Sequence, residues 1–118
     1  MKKLFLLCAI ISSTIFANDK FDIIEERVED QFKFEKVINL DNYDIDYDVD
    51  IYNNQMNLGI EIEGLKKPTI NFPRVKKNIL KVIKKNNVEV DDIYIVVKYE
   101  SLTGNEITMF TESHKILK

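Results

Sequence analysis

The 118 residues contain no tryptophan, one cysteine, one histidine, two prolines and three glycines. Each shortage excludes something. Cys8 is the lone cysteine and lies in the leading segment, so the rest of the chain forms no internal disulfide. Structural zinc sites draw on several cysteines and histidines, and phosphate loops need clustered glycines. Gly59, Gly64 and Gly104 are scattered, and neither pattern occurs. His114 has no cysteine to pair with and reads as a solvated tail residue. Serine is sparse after residue 17. Carboxylate pairs do acid–base work in clefts, which a flat sheet face does not offer. The expectation is a protein that is not an enzyme and holds no cofactor, calcium being the one ion to weigh.

The leading segment has its own layout. Lys2 and Lys3 precede an apolar run from Leu4 to Ile11, and Ser12 to Ala17 form a small and polar exit. That is the arrangement of a secretory signal peptide, with cleavage expected after Ala17. The run falls short of the about 20 residues that span a bilayer. Cys8 follows Leu7 rather than a small residue, which argues against lipidation. Residues 18–118 then form one small domain, periplasmic or secreted. Loss of Lys2 and Lys3 moves the net charge from −3 to −5. An acidic exported domain is a poor partner for nucleic acid or for an anionic membrane.

What is present is patterning. Phe21, Ile24, Val28 and Phe32 recur at spacings of three and four, which predicts a helix over about Lys20 to Phe32 capped by Asp19. Glu25, Glu26, Glu29 and Asp30 fall mostly off that stripe, on the expected solvent side. "DIDYDVDIY" alternates strictly, the signature of a strand whose side chains leave on opposite faces. Asn53-Asn54 suits a type I′ turn, which fixes the register. One face then pairs Ile51–Met56, Val49–Leu58, Tyr47–Ile60 and Ile45–Ile62. The other pairs Asp50–Asn57, Asp48–Gly59, Asp46–Glu61 and Asp44–Glu63.

A second helix is predicted from Asn71 and Pro73 to Asn86-Asn87, with Phe72, Val75, Ile79, Val82 and Ile83 on its apolar face. Arg74, Lys76, Lys77, Lys81, Lys84 and Lys85 cover the rest. Ile93 to Glu100 and Glu106 to Glu112 form a second hairpin through a three-residue loop with Gly104 left-handed. Its expected core pairs are Tyr99–Ile107, Val97–Met109 and Ile95–Thr111. Tyr94, Val96, Lys98, Thr108 and Phe110 are left outside. The fold class is α+β, in the order α-β-β-α-β-β. Two helix-hairpin units, about 19–63 and 71–112, place two helices on one face of a four-stranded, mostly antiparallel sheet. Tandem units of this sort are loosely similar to PepSY-like secreted proteins, and no motif carries the likeness further.

Three readings compete for the acidic face of Asp44, Asp46, Asp48, Asp50, Glu61 and Glu63. A solvated strand carries charge to block aggregation. A docking surface takes a basic protein partner, with Tyr94, Val96 and Phe110 as apolar anchors. A calcium site uses Asp44, Asp46, Glu61 and Glu63. The D-x-D-x-D spacing fails the calcium-loop pattern, because Val49 and Gln55 stand where glycine and glutamate belong. Lys66 and Lys67, just beyond Glu63, are candidates to neutralise the face from within. The basic helix reads as a solvated amphipathic helix or as an anionic-lipid surface. The favoured expectation is an exported, inhibitor-like interaction module with a basic protein partner or self-association. The alternatives are a calcium-binding domain and a lipid-surface binder.

Overall fold

The computed structural model describes residues 15–116, with side chains from residue 23 onward. Most of the expected signal peptide, and Phe21 of the apolar stripe, therefore lie outside the described residues or side chains. Helix α1 runs Ile15–Glu35, longer at both ends than its stripe implied, and it passes straight through Asp19 rather than starting there. Val28 and Phe32 are fully buried, and Ile24 packs beside them. The Phe32 ring stacks on Tyr47 at 5.9 Å.

Strand β1 (Asp44–Tyr52) and strand β2 (Gln55–Gly64) pair antiparallel in the register that alternation and turn had dictated, from Asp44–Glu63 to Tyr52–Gln55. Asn53 and Asn54 both take positive φ, 53° and 60°, as a type I′ turn demands. Helix α2 (Phe72–Lys85) is capped by Asn71, whose side chain accepts the Arg74 N–H at 3.1 Å. Val75, Ile79, Val82 and Ile83 are its buried face.

Strands β3 (Asp92–Ser101) and β4 (Glu106–Lys115) close the sheet, in the order β1-β2-β3-β4. Two outer antiparallel pairs flank a central parallel pair, β2 with β3, so the sheet is mixed. The connection between β2 and β3 contains a helix, the usual route between parallel neighbours. Both helices lie against the same apolar face, built by Met56, Leu58, Ile60, Ile62, Ile93, Ile95 and Val97.

The second hairpin corrects one expectation. Gly104 takes φ 100° and the pairing begins as foreseen, with Tyr99 opposite Ile107 and Lys98 opposite Thr108. A bulge beyond Lys98 then shifts the register by one. Val97 pairs with Phe110, not Met109, and Ile95 with Glu112, not Thr111. Phe110 therefore turns to the helix side, where its ring stacks on Phe72 at 4.6 Å and 3°. The reason is packing. A bulge costs one unpaired residue, and here it exchanges a flexible Met109 for an aromatic ring that α2 can cover. Glu112 on the same side meets Lys76 in an ion pair. His114 sits in β4 opposite Ile93, half-buried rather than in a solvated tail.

Glu25 and Glu29 also depart from their expected place in solvent. Each spends a carboxylate oxygen on the outer side of β1, accepting the backbone N–H of Ile51 and Val49 respectively, both at 2.8 Å. Carboxylates four apart on a helix are about 6 Å apart along the axis. Outward N–H groups two apart on a strand are about 7 Å apart. The two repeats match closely enough for one helix edge to cap two ladder positions.

Candidate functional site

The face of the sheet away from the helices is open, and the register assigns its rows. Asp44, Glu63, Glu100 and Glu106 are successive partners across all four strands. The next row is Asp46, Glu61, Lys98 and Thr108. Then follow Asp48, Gly59, Val96, Thr111 and, beyond them, Asp50, Asn57, Tyr94, Ser113. One end of the face thus carries six carboxylates against the single cation Lys98.

Asp44, Asp46, Asp48, Asp50, Glu61 and Glu63 are all exposed, as alternation required. Tyr94 (38% exposed) and Val96 (half-buried) lie mid-face on β3, as expected. Phe110 does not join them. As an outer-face anchor it is corrected by the β4 bulge, which puts its ring between the sheet and α2. The structure instead adds Glu100 and Glu106 to the acidic face. Hairpin pairing alone placed those two opposite each other. Setting them beside β2 needed the parallel seam, whose only signal in the sequence is the helical crossover after Gly64.

The electrostatics centre on Glu61. Although Glu61 is exposed, loss of water to its crowded neighbours raises its carboxyl above the usual glutamate range, a hydrogen bond with Glu106 raises it further, and the charges of Glu106, Glu100 and Asp46 add to the effect. Lys98 offsets part of the repulsion, with Nζ 3.8 Å from Glu106 Oε1. Lys66 and Lys67 make no ion pair with another described residue, so the expected neutralisation from that loop is not seen. Carboxylate oxygens of Glu61, Glu100 and Glu106 lie within 4.8 Å of one another. The expected cation set of Asp44, Asp46, Glu61 and Glu63 shares only Glu61 with that grouping.

Two shallow grooves, of about 440 and about 410 Å³, lie on the helix side, along residues 35–40 and α2, and neither reaches the acidic rows. Among the described residues no helix is long and apolar enough to cross a membrane. Compared with protein families, curated proteins and solved structures, the chain matches none, so the loose likeness to PepSY-like proteins carries no argument.

Proposed function

We propose that this protein is a binding module, not an enzyme, whose open sheet face takes a basic protein surface. One observation carries the reading: a row of four carboxylates crosses the whole sheet, backed by Asp46 and Glu61, with Lys98 the only cation among them. Like charges on neighbouring strands destabilise by a few tenths to about 1 kcal/mol each. A cationic partner removes that cost on arrival, and its approach is steered by the field of the row. Val96 and Tyr94, next to the acidic rows, offer apolar contact at the edge of the footprint. Residues 1–17 read as a signal peptide, so the partner would be met in the periplasm or outside the cell.

The test uses a lysine-bearing amphipathic helical peptide and its glutamate counterpart, with binding read by fluorescence anisotropy at low salt. The lysine peptide should bind, the glutamate peptide should not, and Glu63→Lys with Glu100→Lys should abolish capture. Equal binding of both peptides, or wild-type binding by the variant, would sink the reading.

A second reading has its own observation, the closeness of the Glu61, Glu100 and Glu106 oxygens. If the face holds calcium, several millimolar calcium should raise the melting temperature by several degrees over magnesium and a matched sodium control. Equal shifts in all three salts would mean general screening.

A further inference from the structure

The binding reading leaves open which basic surface fits, and the chain itself displays one. Arg74, Lys77, Lys81 and Lys84 are all exposed on α2, at spacings of three, four and three residues. Those spacings set them on a single stripe of the helix, opposite the buried Val75, Ile79, Val82 and Ile83. None of the four forms an ion pair with another described residue; Lys76, off the stripe, pairs with Glu112, and Lys85, beside its C-terminal end, pairs with Glu35.

The stripe and the acidic row match in length. From Arg74 to Lys84 the helix rises about 15 Å, with its cations about 5 Å apart on average. The row Asp44, Glu63, Glu100, Glu106 steps across four strands about 4.8 Å apart, about 14 Å in all. They cannot meet within one molecule. The helix layer covers the apolar side of the sheet, so the basic stripe points away from one side of the protein and the acidic row from the other.

We propose that the partner of the acidic row is the α2 stripe of a second copy of this chain, laid across the strands head to tail. This rests on the sheet-face reading above and names its partner. Such a contact joins two different surfaces and leaves one of each free, so it adds copies in an open stack rather than closing a symmetric dimer. The contact is electrostatic, so it strengthens at low salt and weakens as salt screens it.

Sedimentation velocity on the purified protein, over a range of concentrations at about 20 mM and about 300 mM salt, tests it. The two variants are neutral replacements. One changes the sheet face, Asp44→Asn/Glu63→Gln/Glu100→Gln, and the other the stripe, Lys77→Gln/Lys81→Gln. Wild type should form species that grow with concentration at low salt. Each variant alone should associate at least about tenfold more weakly. An equimolar mixture should give a one-to-one dimer and nothing larger, since only one good face of each kind remains. A mixture that stays monomeric, or variants that stack like wild type, would overturn the proposal. So would binding of the α2 stripe to anionic-lipid vesicles in a wild type that never self-associates. If the lysine peptide is captured while wild type stays monomeric, the second copy is wrong and the sheet-face reading stands. If neither occurs, both fall.

Discussion

The Glu29 carboxylate accepts the backbone N–H of Val49 at 2.8 Å, a side chain of α1 completing the ladder of a strand twenty residues away. Edge strands present unpaired N–H groups that invite another chain. Here α1 lies along β1, and Glu29 with Glu25 occupies two of those groups. A hydrogen bond to a charged acceptor contributes more than a neutral one, on the order of 1.5–3 kcal/mol.

Glu29→Ala should therefore lower stability in urea melts by about 1.5 kcal/mol, although alanine is the better helix former. Glu25→Ala/Glu29→Ala should in addition raise the rate of thioflavin-positive aggregation, because the β1 edge is then open. Unchanged melts and aggregation in the double variant would show that water replaces the carboxylates without loss.

Phe110→Ala separates two roles for one ring. Its stack on Phe72 predicts a loss of about 2 kcal/mol, less than for a fully buried phenylalanine. Capture of the lysine peptide by the folded variant should be unchanged, since the ring is on the helix side. The reverse outcome, full stability with lost binding, would return Phe110 to the outer face.

Two glycines of β2 should respond oppositely to alanine. A Cβ at Gly64 would press into the Tyr43 ring, while one at Gly59 meets nothing within 4 Å. Gly64→Ala should cost about 1–3 kcal/mol through overpacking. Gly59→Ala should stabilise by about 0.5 kcal/mol, because the unfolded chain loses freedom. Thermal melts of the two variants decide this directly.

Acid should affect Glu61 in a defined direction. Its folded carboxyl is raised above the ordinary value of 4.5, first by partial desolvation among crowded side chains and then by its acidic neighbours. The native state holds that proton more readily than the unfolded chain, so ionising Glu61 lowers stability as pH rises from 4.5 through the raised value. Glu61→Gln should raise the melting temperature only slightly at neutral pH, because solvent screens an exposed carboxylate, and its advantage should vanish below the ordinary glutamate range. Melting curves across that window check it; an advantage that persists in acid would assign the effect to packing instead.

The first hairpin was fully legible in the sequence. Strict alternation plus Asn53-Asn54 left one register that kept all the apolar residues together, and that is the register found. The second was legible only as far as Lys98–Thr108, because either Met109 or Phe110 can serve as an apolar face residue. What decides between them is Phe72 on α2, 38 residues before Phe110, and no local pattern contains it. The same holds for Glu25 and Glu29. Their spacing is that of any solvated helix face, and their partners are backbone groups, which no sequence distinguishes. Half of the acidic row was visible as Asp44 and Glu63. The other half depended on which strands become neighbours.

The parallel seam between β2 and β3 has a consequence for folding order. Each helix-hairpin unit can form from contacts near in sequence, but each holds only two of the four carboxylates in the row. The row comes into being when the two units dock, after a connection that spans the whole of α2 has been closed. A chain severed in the linker before α2 would yield halves that carry charge but no row. The row is a property of the finished fold and of neither half.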